Sequence, residues 1–272
     1  MYRKRFGLID HPLPKDAQGK TFCELGPAHQ RLRRAFTRLL EQPGLAILTG
    51  EAGVGKTAAL RNLCSELPKP DYQVFYLCDT AVSPLDLYRT LALELGIRPS
   101  HRRAQLWYDI KQALVHRKDE RHTSTIVVLD EAQYLSERFL IDLSGFLNVA
   151  FDSRDVLTLW LVGLPALRRH LAMAPHAPLA MRVAAQVNLE PFTERDAFAA
   201  LVSQGLAAVG ATDKLLSDPA MEMLLRASRG LPRIASMLLR SALQIAHERD
   251  QSFVDDQVLE AAIDEALMLD SQ

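Results

Sequence analysis

Short apolar runs alternate with segments of helical period along the first two thirds of the chain. Leu45–Leu48, Val74–Leu77, Ile126–Leu129 and Leu157–Val162 have strand length and are almost unbroken, and Val187–Leu189 is a weaker fifth run. Strands that stay apolar instead of alternating predict a parallel sheet covered on both faces. Between them, Ala58–Leu67 has a helical pattern, Pro84–Leu95 carries Leu85, Leu87, Leu91 and Leu95, and Gln105–Val115 carries Leu106, Ile110 and Leu114. These segments are the expected crossover helices. After Pro191 the strands stop, and Thr193–Val209, Pro219–Ser228, Pro232–His247 and Asp255–Leu269 all have helical period. The pattern predicts an α/β domain over 1–191, with an N-terminal extension over 1–26, followed by a helical lid over 192–272. Thr193 with Asp196 three residues on, and Asp218 before Pro219, are the expected caps of two lid helices.

The first strand runs into Gly50-Glu51-Ala52-Gly53-Val54-Gly55-Lys56-Thr57, which fits G-x-x-x-x-G-K-T, with Ala58 continuing into a helix. Glycines let backbone N–H groups converge on a phosphate. Lys56 adds a point charge for the outer phosphates, and Thr57 offers a hydroxyl to Mg2+ at a helix N-terminus. The run therefore predicts binding of a nucleoside triphosphate. The third strand ends in Asp130-Glu131. A buried strand that delivers two carboxylates to its C-terminal edge predicts a hydrolytic site. Asp130 is the expected Mg2+ ligand, and Glu131, pointing elsewhere, orients or deprotonates the attacking water.

Two arginines are candidates for the charge that develops on the phosphoryl group. Arg182 precedes the weak strand, and a plain surface arginine is its alternative reading. Arg233 lies in Gly230-Leu231-Pro232-Arg233 at the start of a lid helix.

Composition narrows the class without naming the partner. The chain is 48% hydrophobic and 24% charged with a formal net charge of -1, so any contact with nucleic acid must come from a local patch or from a surface built by several subunits. Three cysteines, Cys23, Cys64 and Cys78, lack metal or redox spacing and fit free thiols in a reducing compartment. The longest apolar stretch, Leu157–Leu167, is interrupted by Gly163 and Pro165, so no bilayer span is expected and the protein is read as cytoplasmic.

Gly50–Thr57, Ile126–Glu131, Arg182 after Leu179-Ala180-Met181, and Gly230–Arg233 together resemble an AAA+ ATPase over nearly the whole chain. Met1-Tyr2 with Phe6-Gly7-Leu8 and Pro12, Asp130-Glu131-Ala132-Gln133, and Leu161-Val162-Gly163-Leu164-Pro165-Ala166-Leu167 resemble more narrowly the ExeA/GspA-like group. That group includes transposition helper ATPases of the TnsC, TniB and MuB type. The resemblance implies ATP and Mg2+ as ligands and a five-stranded sheet of order 5-1-4-3-2. It makes Arg182 a finger acting on a neighbour's ATP in a homo-oligomer, and Arg233 a lid sensor on the subunit's own nucleotide. One feature departs from the family: Trp160-Leu161-Val162-Gly163-Leu164 offers no polar sensor at the end of the fourth strand. Thr158 or a backbone group is the available substitute, and slow, switch-like hydrolysis is the expectation.

The function expected from this resemblance is ATP-dependent, sequence-tolerant assembly on duplex DNA as a ring or helical filament, serving a transposase and a target-selection protein. A secretion-associated assembly ATPase and a nucleotide-bound, non-hydrolysing scaffold are the alternatives. Candidate phosphate-backbone contacts are Arg98, His101, Arg102 and Arg103, between two helices. Arg3, Lys4 and Arg5, and the row Arg31, Arg34 and Arg38 opposite Leu32, Ala35, Phe36 and Leu39, are further basic groups. Trp107 is expected to pack with Leu106 and Ile110.

Overall fold

The computed structural model describes residues 2–14, 25–78, 80–150 and 153–270; Cys23 and the stretch 15–24 of the N-terminal extension lie outside them. Five strands, β1 (Leu45–Gly50), β2 (Tyr72–Leu77), β3 (Ser124–Leu129), β4 (Leu157–Gly163) and β5 (Val183–Leu189), form one parallel sheet of order β2-β3-β4-β1-β5. This is the expected order read from the opposite edge. The helices are α1 (Tyr2–Arg5), α2 (Pro27–Glu41), α3 (Lys56–Ser65), α4 (Pro84–Glu94), α5 (Arg103–Asp119), α6 (Glu137–Leu147), α7 (Ala166–Leu171), α8 (Ala177–Ala180), α9 (Arg195–Ala208), α10 (Asp218–Ser228), α11 (Pro232–Glu248) and α12 (Asp256–Asp270).

The chain divides into two compact units: Arg31–Gly50 with Leu63–Leu189, and Met1–Gln30 with Glu51–Asn62 and Glu190–Gln272. In the sheet-bearing unit, β1 and β4 are buried at every position and β3 at all but its first. Both faces of these strands are covered, which is why their sequences do not alternate. The outer strands β2 and β5 do alternate between buried and open positions. Helix α5 presents Leu106, Ile110 and Leu114 at 0 to 1% exposure. Each such side chain contributes roughly 2 kcal/mol of burial free energy. Leu87, Leu91 and Leu95 do the same beside α4, whose N-terminus is capped by Ser83 accepting from the Asp86 N–H.

The helical unit has its own core, in which Phe198, Leu224, Leu239, Leu243, Val258 and Leu259 are fully buried. Residues 2–14 belong to it: the Ile9 N–H donates to the Val209 carbonyl, the Ser236 hydroxyl to the Pro12 carbonyl, and Leu13 lies against Gly205. A parallel bridge, Leu216 with Val254, also joins segments of this unit.

Two expected caps are corrected. Helix α9 starts at Arg195 after Glu194, which makes no side-chain cap bond, so Thr193 lies a residue too early. Just before it Phe192 is fixed by an N–H bond to the Gly230 carbonyl and by ring contacts with His29 and Phe198. Helix α10 is capped by Ser217, in extended backbone, whose hydroxyl accepts from the Ala220 N–H at 3.1 Å. Asp218 and Pro219 are the first two helical residues, where a missing N–H costs nothing, and Asp218 instead pairs with Lys214 and Arg195.

Candidate active site

The phosphate loop issues from the buried strand β1, whose last residue is Gly50. Residues 51–55 form the turn, and Lys56, Thr57 and Ala58 open α3. Gly53 (φ 83°) and Gly55 (φ 98°) lie in the left-handed region, and a Cβ on Gly55 would enter open space. Such backbone, leading into a helix N-terminus, is a cradle for a phosphate. Lys56 is 9% exposed and its Nζ donates to the Glu51 carbonyl at 3.0 Å, so the ammonium is held over its own loop. Val54, 1% exposed, anchors the turn.

Arg233 meets this loop inside the helical unit. Pro232 takes the first position of α11 and has no N–H, and the N–H of Arg233 donates to the Gly53 carbonyl at 3.2 Å. A Cβ on Gly53 would come within 2.9 Å of the Arg233 Cβ, so only glycine admits this approach. The rest of the Arg233 side chain is exposed beside the cradle.

In the sheet-bearing unit, Asp130 follows β3 and is 3% exposed. Its Oδ2 accepts from the Tyr76 hydroxyl and its Oδ1 from the Glu131 N–H, each at 2.8 Å. Burial and this bond to Asp130 push the Tyr76 phenol well above its usual range, so it remains a donor. Glu131 turns the chain with φ 53° and ψ 35°, a left-handed geometry that costs a non-glycine residue about 1–2 kcal/mol. Three contacts hold it there. Its N–H is on Asp130, the Thr80 hydroxyl donates to its carbonyl at 2.8 Å, and the Gln133 amide donates to its Oε2 at 2.6 Å. Consecutive carboxylates are thus separated by the backbone: Asp130 is clamped and Glu131 is steered by a different set of partners.

Among the described residues no group of three or more His, Cys, Asp or Glu side chains is arranged to hold a metal. Mg2+ keeps waters and takes phosphate oxygens as ligands, so a single buried carboxylate such as Asp130 is chemistry that suits it.

Arg182 lies elsewhere in the sheet-bearing unit. It follows α8 and immediately precedes Val183, which pairs with Leu45 at the start of β1; Gly50 pairs with Leu189 at the other end. Six strand steps of about 3.3 Å separate those ends by about 20 Å. Arg182 is therefore at the sheet edge opposite Gly50 and Asp130, beyond the reach of its side chain.

The basic loop before α5 has exposed Arg98, His101 and Arg102. Arg103 belongs to α5 and not to the loop. Its guanidinium pairs with Asp142 at 2.7 Å and stacks 4.4 Å from the Trp107 ring centre, which gives it a packing role. Trp107 packs edge-on against Tyr88 and Phe146, as expected. Of the other basic groups, Arg5 pairs with Asp250 and Arg38 donates to the Ala184 carbonyl.

Thr158 does not replace the missing sensor. It is the second residue of β4, at the wrong edge, and its hydroxyl donates to the Leu39 carbonyl. Tyr76, Thr80 and Gln133 had no assigned role in the sequence reading. Tyr76 reads as an ordinary strand residue until the register, Tyr76 opposite Val128, brings it beside Asp130.

A parallel sheet of this order, with a glycine-rich cradle after β1, an acid pair after β3 and helices after β5, is the fold of AAA+ ATPases. Residues 37–171 match the family model described as AAA domain. General secretion pathway protein A of Aeromonas hydrophila is 27% identical over 252 residues, 92% of this chain and 45% of its own length, so the chain spans less than half of that relative. Among solved structures, the ADP form of the Aeropyrum pernix ORC2 protein superposes with a TM-score of 0.68 at 18% identity, over 97% of this chain and 72% of that one. The Aeropyrum pernix ORC1 protein in complex with DNA gives 0.66 at 19% identity, over 97% and 69%. These two likenesses concern the fold. Among the described residues no helix is long and apolar enough to cross a membrane.

Proposed function

We propose that the protein is an ATP-dependent regulator of DNA transposition. It assembles on duplex DNA with ATP, recruits or activates a transposase at the target site and comes apart on hydrolysis. Residues 1–191 act as its nucleotide-binding domain and 192–272 as its lid, in the cytoplasm. The phosphate loop Gly50–Ala58 binds the triphosphate, Thr57 and Asp130 hold Mg2+, Glu131 directs the attacking water and Arg233 senses the outer phosphate. Mg2+, when bound, neutralises charge on the outer phosphate oxygens.

The observation that carries the reading is the position of Arg182 at the sheet edge opposite Asp130. A guanidinium there serves a second subunit's ATP, so hydrolysis depends on assembly and nucleotide state reports assembly. A finger of this kind is worth about three to five orders of magnitude in rate. Exposed Arg98, His101 and Arg102 supply one cationic step per subunit toward duplex phosphates. The likeness to an ORC1 protein solved with DNA is in keeping with such a surface.

The similarity to General secretion pathway protein A favours a second reading, an ATPase that drives assembly of a secretion complex. Electron microscopy of the protein with duplex DNA and a slowly hydrolysed ATP analogue separates the two. Nucleotide-dependent arrays on DNA are expected, stabilised further by Glu131→Gln with ATP. Nucleotide-dependent assembly indifferent to DNA favours the secretion reading, and dispersed monomers in every condition refute both. Arg182→Ala loses hydrolysis, and mixing it with a Lys56→Ala partner that keeps its finger restores part of it.

A further inference from the structure

We infer that Gln133 is the positioning residue for Glu131 and takes the place of the polar side chain that the end of β4 lacks. The inference rests on the reading of Glu131 as the group that directs water. Gln133 is 9% exposed and sits in the single three-ten turn Ala132–Tyr134 that follows the acid pair. Its amide is used at both ends: Nε2 donates to Glu131 Oε2 at 2.6 Å, and Oε1 accepts from the Leu164 N–H, just past β4, at 3.0 Å. The orientation is fixed by chemistry. Flipping the amide would turn its carbonyl on a carboxylate and its NH2 on an N–H, losing both bonds.

The backbone of β4 is shaped for this side chain. A Cβ on Gly163 would lie 2.5 Å from Gln133 Oε1, with the N–H groups of Gln133 and Ala132 at 3.3 and 3.4 Å behind it. The glycine thus admits the amide to the sheet edge. A buried amide with one end on a strand terminus and the other on a carboxylate fixes the direction of that carboxylate. It also leaves Oε1 of Glu131 for the water. Asparagine, one methylene shorter, cannot span both partners.

The test is steady-state ATP turnover with duplex DNA on Gln133→Leu, Gln133→Glu, Gly163→Ala and the Gly163→Ala/Gln133→Leu double variant. Each is checked for fluorescent-ATP binding and thermal melting, and Glu131→Gln serves as the reference. Gln133→Leu is expected to lower kcat about ten- to hundredfold with KM and nucleotide affinity unchanged, the loss that follows from a misdirected reacting group. Gln133→Glu keeps the shape but sets two carboxylates side by side. The donated hydrogen bond is replaced by repulsion, so kcat falls at least as far as in Gln133→Leu, again with KM unchanged. Gly163→Ala repeats the kcat loss by displacing the amide, and the double variant is no worse than either single one.

Wild-type kcat in both Gln133→Leu and Gln133→Glu, while Glu131→Gln is inactive, overturns the role of Gln133 alone. Full turnover in Glu131→Gln overturns the reading of Glu131 on which it rests. If Gln133→Leu does not fold, the isosteric Gln133→Glu and the neighbouring Gly163→Ala decide: wild-type kcat in both refutes the inference.

Discussion

Gly230→Ala should be among the most damaging single-methyl additions in the helical unit. Gly230 has φ 69°, and a Cβ there would stand 2.0 Å from the Phe192 carbonyl oxygen and 2.8 Å from the Phe192 N and C atoms. Carbon and oxygen need about 3.3 Å, so the chain must open by more than an ångström. Three costs combine: about 1–2 kcal/mol for alanine in left-handed backbone, about 1 kcal/mol for the bond from the Phe192 N–H to the Gly230 carbonyl, and about 1–3 kcal/mol for forcing packed elements apart. The sum is roughly 3–6 kcal/mol. Gly7→Ala is the matched control, since Gly7 has φ 67° in the same unit with nothing within 4 Å of its Cβ. It should lose only the conformational part, about 1–2 kcal/mol. Urea unfolding followed by far-ultraviolet circular dichroism measures both. Because Gly230 leads through Pro232 to the Arg233 N–H on Gly53, Gly230→Ala should also weaken nucleotide binding, and Gly7→Ala should not. Equal destabilisation by the two substitutions would refute the steric argument.

Ser217→Ala removes the cap on the Ala220 N–H and should cost about 1 kcal/mol in the same unfolding experiment, whereas Asp218→Ala, outside the cap, should cost less. Tyr76→Phe removes the hydroxyl that donates to Asp130 Oδ2 and should raise the Mg2+ concentration for half-maximal turnover about tenfold, with little change in stability because the ring is half exposed; an unchanged Mg2+ requirement would remove Tyr76 from the site. Burial pushes the Cys64 thiol up from 9.0 to about 12, so residue-resolved alkylation at pH 8 should spare Cys64 and label exposed Cys78. The raised value also fixes a sign: the stability held by the protonated thiol is complete below pH 9 and is lost as pH rises toward 12, a loss that Cys64→Ala should abolish.

Elements whose burial is complete, or repeats at a regular spacing, could be read from one dimension. The runs Leu45–Leu48 and Ile126–Leu129 are apolar because both faces of β1 and β3 are covered, and Leu106, Ile110 and Leu114 recur because one face of α5 is. Strand β5 extends back to Val183, well before the expected Val187, because an outer strand needs apolar residues only at alternate positions. The cap of α10 was misassigned to Asp218, since serine and aspartate both cap well and only backbone geometry chooses between them. Glycine, lysine, threonine and the twin acids were recognisable because their chemistry is local to a few consecutive residues. The partners of those groups were not. Tyr76 reaches Asp130 through the pairing of β2 with β3, Gln133 reaches Leu164 across the neighbouring strand end, and Arg233 reaches Gly53 from a helix far along the chain. Hydrogen bonds act over about 3 Å, and only the folded chain brings residues distant in sequence that close.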